Sequence, residues 1–162
     1  MATAYPMPAL DPAVYTAREV ATIRRSMRLL ERGLRSGSPV LGSPIAAGAY
    51  LRLWIGAADR EIFAALFLDT QNRLIEAEEL FRGTLAETSV YPREVLRFAL
   101  RHNAASVLLA HNHPSGAAEP SVADRTLTTA LRDALALVDV RVADHLIVTR
   151  SATYSFADHG LL

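Results

Sequence analysis

Two imidazoles and a carboxylate stand close together in the stretch His111-Asn112-His113-Pro114-Ser115-Gly116-Ala117-Ala118-Glu119-Pro120-Ser121-Val122-Ala123-Asp124. Side chains two apart on an extended chain project to the same side. His111 and His113, leaving the end of a strand, therefore offer two imidazoles to one point while Asn112 faces elsewhere. Pro114 and Gly116 favour a turn directly afterwards, and a helix opened by Ser121 brings Asp124 back toward the imidazoles. Two histidines and one aspartate make three ligands for a zinc ion, leaving a fourth position for a water whose pKa falls to about 7. Each part alone says less. His-x-His recurs without metal, and Ser121-x-x-Asp124 is also the pattern of a helix N-terminal cap in which the aspartate favours the helix dipole.

Composition narrows the alternatives. The 162 residues include no cysteine, which excludes disulfides and thiolate ligands and leaves five histidines with Asp, Glu and water to hold a metal. A 51% apolar content fills the core of one ordinary domain. Seventeen basic residues, all arginine, cancel seventeen acidic ones, so bulk charge does not mark a nucleic-acid coat. The uneven part is Arg18 to Arg35, with six arginines against Glu19 and Glu31. No basic start with an apolar run opens the chain, and no stretch reaches the roughly 20 apolar residues of a membrane span. The expected setting is cytoplasmic, without membrane contact.

The elements that must position the cluster follow from periodicity. Residues 1–15, with Pro6, Pro8 and Pro12, read as a loosely ordered lead-in, and residues 16–38 as a basic helix with Val20, Ile23, Met27, Leu30 and Leu34 on one face, ended by Gly37 and Pro39. The main domain spans residues 39–162. In it, Ser43 and Pro44 open a short helix through Tyr50 and Leu53 that packs on the sheet. Glu61 to Leu68 and Leu74 to Phe81, joined by the turn residues Asp69 to Arg73, predict an antiparallel hairpin. Pro92 starts a helix bearing Val95, Leu96, Ala99 and Leu100, and Ser106 to Ala110 reads as a buried strand. Ser121 caps a helix with Leu127, Ala130, Leu131, Ala134 and Leu135 on one side, and strands at Val140–Ala143, His145–Thr149 and Thr153–Phe156 follow. The whole predicts an α/β sandwich of helices on a mixed sheet.

The string His-x-His-Pro-Ser-Gly followed by Pro-Ser-x-x-Asp resembles the JAMM, or MPN+, metalloprotease motif in the form carried by RadC-like proteins. The resemblance extends to Leu-Phe-Leu-Asp-Thr-Gln-Asn-Arg-Leu at 66–74, Gly-Thr-Leu at 83–85, Thr-Ser-Val-Tyr-Pro-Arg-Glu-Val at 88–95 and Asp-His at 144–145, covering residues from about 40 to the end. It implies a three-layer α/β/α sandwich of the cytidine-deaminase-like kind, one catalytic zinc per chain, and hydrolysis of a peptide or isopeptide bond in a peptide or protein substrate by a zinc-activated water. On that motif His111, His113 and Asp124 are the zinc ligands, Ser121 helps hold the oxyanion, and Glu61 is the glutamate that takes the water's proton, with Glu78 and Glu79 as competitors. His102, His145 and His159 are expected to be structural, His145 being the one expected to border the site. Longer proteins of this kind carry an additional amino-terminal helical module of a type associated with DNA binding, whereas here the basic helix and its lead-in precede the metalloprotease-like domain.

Three other functions bear comparison. The literal His-Asn-His invites an HNH-type nuclease, but such a site needs a further histidine or asparagine on the following helix, where this sequence has Ser121 and Asp124. A zinc nucleoside deaminase shares the implied fold yet needs cysteine ligands, so the composition excludes it. The alternative of a different class is a non-catalytic module of the RadC type, associated with DNA repair and touching DNA through Arg24, Arg25, Arg28, Arg32 and Arg35.

Overall fold

The computed structural model describes residues 14–36, 44–83 and 90–162. Most of the expected lead-in, the helix stop at Gly37 and Pro39, and the cap at Ser43 lie outside the described residues. The elements run α1 (Ala17–Ser36), α2 (Pro44–Trp54), β1 (Ile62–Leu68), β2 (Leu74–Arg82), α3 (Pro92–Arg101), β3 (Ser106–Asn112), α4 (Val122–Ala136), β4 (Arg141–Val148) and β5 (Thr153–Ser155).

The five strands form one sheet in the order β2-β1-β3-β4-β5. Only β3 and β4 run parallel, joined by the α4 crossover, and the other neighbours are antiparallel. Every residue of β1 and β3 is buried, as expected of strands covered on both faces. On one face Met27 and Leu34 of α1 and Tyr50, Leu51 and Trp54 of α2 pack on Ile62, Leu66, Leu108 and Leu146. On the other, Val95 and Ala99 of α3 and Leu131 and Leu135 of α4 pack on Phe63, Phe67, Val107 and Leu109. This is the expected three-layer α/β/α sandwich on a mixed sheet.

The hairpin, the Ser106 strand and the Ser121 helix lie where the sequence puts them. In α3, Val95 and Ala99 are buried and Leu100 is exposed. One expectation needs correction. The strands expected at Val140–Ala143 and His145–Thr149 are one strand, β4, with a bulge in it. Val107 faces Val142 but Leu108 faces Asp144, leaving Ala143 as the extra residue. Aspartate is a poor strand former, which is why Asp144 reads as a break. Its buried carboxylate is instead satisfied by the Ser155 hydroxyl at 2.6 Å, the His145 N–H at 2.7 Å and the Ala157 N–H at 3.0 Å.

The bulge has a consequence for the site. A single extra residue exchanges the two faces for everything after it. Val142 packs on the α3/α4 side, whereas Ala143, Leu146 and Val148 pack on the α1/α2 side. His145 thereby shares the face of Phe63 and His111. At the far end of β4, Gly56 lets the end of α2 approach closely. A Cβ there would lie 2.7 Å from the Arg52 carbonyl oxygen and 2.9 Å from that of Thr149. No helix of the described residues is long and apolar enough to cross a membrane.

Candidate metal centre

The last residues of β3 and the first turn of α4 bring His111, His113 and Asp124 together at the carboxyl end of the parallel β3-α4-β4 unit. His111 is buried in the strand itself, stacked on Phe63 with ring centroids 6.3 Å apart. His113 lies just beyond it, its N–H still donating to the Val148 carbonyl. The turn that follows closes with Gly116 N–H donating to the His113 carbonyl at 3.0 Å, and Gly116 takes the positive φ of 85° that a residue with a Cβ resists. The chain returns so that the Ala117 carbonyl accepts from His113 Nδ1 at 2.7 Å.

Asp124 does two jobs. With Ser121 it forms a capping box: the Ser121 hydroxyl oxygen accepts from Asp124 N–H at 3.1 Å, and Asp124 Oδ2 accepts from Ser121 N–H at 2.7 Å and from its hydroxyl at 2.6 Å. The same carboxylate faces the imidazoles, with Oδ1 3.3 Å from His111 Nε2 and Oδ2 3.6 Å from His113 Nε2. The two Nε2 atoms are 2.9 Å apart. Burial pushes the Asp124 carboxyl up, but hydrogen bonds from His111, His113 and Ser121 outweigh it and hold the group well below the usual carboxylate range. The Asp124 bond raises His113, burial opposes this, and the Ala117 carbonyl and the charge of Glu61 add to the rise.

These distances fit a zinc ion. Bonds of about 2.0–2.2 Å in a tetrahedron separate neighbouring ligand atoms by about 3.3–3.6 Å; the two carboxylate oxygens lie at 3.3 and 3.6 Å, each from a different imidazole, and the imidazole nitrogens lie 2.9 Å apart. Among the described residues, this is the set of three such side chains whose ligand atoms converge, all within 4.8 Å of one another. The His111 side chain is 1% exposed, Asp124 13% and His113 18%, so the centre is walled by the sheet and open past His113 and Asp124.

Around the three lie groups that bear on them. His145, fully buried, has its Nε2 2.9 Å from His111 Nδ1, and its Nδ1 2.6 Å from the Thr128 hydroxyl. Burial pushes His145 well down, with the charge of His111 adding to this. His145 borders the site, as expected, and bonds directly to one of the three. His102 stacks on Phe98 and meets Glu78 at 3.2 Å, and His159 stacks on Tyr154 and donates to the Ser155 carbonyl, both away from the centre. Glu79 is held by Arg82 through two contacts of 2.7 Å. Both competitors of Glu61 are thus engaged elsewhere.

Glu61 sits just before β1, where the ladder with β3 ends at the Phe63–His111 pair. Continuing that register by two residues places Glu61 opposite His113, in keeping with the influence of its charge there. The sequence reading missed what holds this segment. The Asn112 side chain, fully buried, accepts from Ile62 N–H at 2.7 Å and donates to the Arg60 carbonyl at 3.0 Å. Thr128 was also missed, because a polar residue drops out of an apolar-periodicity reading; its signal is its place in the stripe 124, 128, 131, 135 that faces the sheet.

A sequence profile for the family described as "RadC-like JAB domain" matches residues 41–161. A UPF0758 protein of Janthinobacterium sp. (strain Marseille) is 57% identical over 153 residues, covering 94% of this chain and 67% of its own length. One of Nitrosospira multiformis is 54% identical over 156 residues, covering 96% and 69%. Another, of Leptothrix cholodnii, is 63% identical over 124 residues, covering 76% and 56%.

Proposed function

The chain belongs to the RadC-like JAB domain family, and from that premise and the geometry above we propose that it is a zinc-dependent hydrolase, a metallopeptidase or isopeptidase. The observation that carries the reading is the meeting of three lone-pair acceptors. His113 gives its Nδ1–H to a carbonyl, which can only accept, so its Nε2 presents a lone pair. That lone pair faces His111 Nε2 at 2.9 Å, and the Asp124 carboxylate stands 3.3 Å from His111 Nε2 and 3.6 Å from His113 Nε2, an arrangement that a cation between the three would satisfy.

Zinc held by His111, His113 and Asp124 would supply Lewis acidity and lower the pKa of a coordinated water to about 7. The chain's own groups supply the rest. Glu61, across from His113 on the open side, takes the proton of the attacking water and returns it to the leaving amine. The Ser121 hydroxyl accepts from Asp124 N–H and in this structure gives its hydrogen to Asp124 Oδ2 at 2.6 Å; turning that hydrogen from the carboxylate to a developing oxyanion leaves the Asp124 N–H bond of the helix cap in place. Phe63 and the buried wall of β3 exclude bulk water from one side.

The test pairs the unaltered protein with Glu61→Gln, both loaded with zinc, against a peptide library read by mass spectrometry. Cleavage by the first and none by the second at equal zinc content is the expected result. Equal cleavage by both would remove Glu61 from the reaction. A second reading rests on α1, where Arg18, Arg24, Arg25, Arg28 and Arg32 are exposed. Arg35 is engaged by Glu31 at 2.9 Å and Glu76 at 3.3 Å. Under this reading the protein is a DNA-contacting module. Salt-sensitive DNA binding lost on replacing these five arginines, together with no cleavage of any peptide, is its signature.

A further inference from the structure

We propose that Thr128 and His145 form a relay that fixes which nitrogen of His111 is left bare, so that the metal affinity of the centre is set by two residues that touch no metal. The inference rests on the zinc reading above and adds to it two positioning residues. The relay has a direction, fixed at its far end. Thr128 Oγ1 lies 2.6 Å from the Asp124 carbonyl oxygen, which can only accept, so the hydroxyl hydrogen is spent there. The same oxygen lies 2.6 Å from His145 Nδ1 and must therefore accept, which puts the ring's hydrogen on Nδ1. His145 Nε2 is then a lone pair, 2.9 Å from His111 Nδ1, and takes the hydrogen of that nitrogen. His111 is left with its Nε2 bare and aimed at His113 and Asp124. Both ligand histidines thus have Nδ1–H anchored, one by the Ala117 carbonyl and the other by His145.

The surroundings keep the chain in this sense. His145 is fully buried and stacked on Phe156 at 4.8 Å, so it neither turns nor trades its hydrogen with water. The β4 bulge at Ala143 is what brings His145 onto the face of His111 at all. Thr128 stands one helical turn after Asp124, so α4 delivers both a ligand and the group that orients the relay.

The decisive variant is Thr128→Val, which keeps shape and removes only the hydroxyl. His145 Nδ1–H then has no acceptor, and the ring does better with its hydrogen on Nε2, donating to His111 Nδ1 and forcing the His111 hydrogen onto Nε2, where the metal should bind. Zinc affinity, measured by competition with a chromogenic chelator, is expected to fall between about 10- and 100-fold, and Thr128→Ser to restore it. His145→Phe should lose a similar factor and His145→Gln, whose amide oxygen can accept from His111, recover most of it. The accompanying readout is the imidazole nitrogen-15 spectrum of the zinc-free protein: the hydrogen of His111 sits on Nδ1 in the unaltered protein and moves to Nε2 in Thr128→Val. Unchanged affinity and an unchanged tautomer in Thr128→Val would overturn the relay while leaving the zinc reading intact. No zinc uptake by the unaltered protein would overturn the zinc reading, and the tautomer shift would then decide the relay by itself.

Discussion

Replacing Asn112 by alanine should weaken the fold measurably and the reaction more, while leaving the metal in place. Asn112 is fully buried and is the acceptor for Ile62 N–H at the point where β1 runs past the end of its ladder with β3. Gly83 N–H already takes the Glu61 carbonyl on the β2 side, so in the antiparallel alternation Ile62 N–H points toward β3 and toward Asn112. Alanine leaves that buried N–H unsatisfied, at about 1–3 kcal/mol. The Arg60 carbonyl, on an exposed residue, recovers water and adds little, so the sum stays at about 1–3 kcal/mol. For a domain of this size that lowers Tm by roughly 2–12 °C. Urea unfolding at fixed zinc gives the free energy directly. The same variant frees the segment that carries Glu61, so turnover should fall while zinc content stays at the unaltered level. Unfolding at the unaltered midpoint would refute this account of how β1 is held. Asn112→Asp sharpens the test, because its carboxylate would face two carbonyls, of Arg60 and Ala58. Burial raises the folded pKa of such a carboxyl, so this variant should lose stability as pH climbs above about 4.

Further outcomes follow from the same geometry. Ser121→Ala removes the cap acceptor of α4 and should cost about 1 kcal/mol, and if its hydroxyl serves the oxyanion, kcat falls by roughly 100- to 1000-fold at unchanged zinc content; a loss of stability alone would reduce Ser121 to a cap. Gly56→Ala drives a methyl into the Arg52 and Thr149 carbonyls, and should destabilise by about 1–3 kcal/mol or more in a thermal melt; an unchanged Tm would contradict the close approach. Zinc and protons compete for His113, which Asp124 raises above its ordinary value. In metal-free protein the His113 contribution to stability is present below its unfolded value and fades as pH rises through the folded one, whereas the extra stability given by zinc runs the other way. The zinc-induced rise in Tm should therefore be larger at pH 8 than at pH 6, and a rise independent of pH would count against His113 as a ligand.

Much of this was legible in the sequence, and what was not has physical reasons. Apolar periodicity and cap residues located α1, the β1–β2 hairpin, β3 and α4 because each is locally consistent: a capping box opens α4, and a continuous apolar run makes β3. The three converging side chains were legible from their spacing, since a strand end, a turn with Gly116 and a capped helix leave little choice of direction. Asp144 misled because its charge is answered by Ser155 and Ala157, partners eleven and thirteen residues away that no local pattern announces. The bulge at Ala143 is equally silent, and with it the face on which His145 falls. Asn112 and Thr128 were hidden because their work is to satisfy buried groups across elements, which depends on register and not on spacing.

The central claim is that His111, His113 and Asp124 hold a zinc ion, and metal content tests it most directly. Elemental analysis of the untagged protein, purified beside His113→Ala and Asp124→Ala in the same way, should give about one zinc per chain in the unaltered protein and little in either variant. No zinc in the unaltered protein after the metal is added back, or the same content in all three, would contradict it.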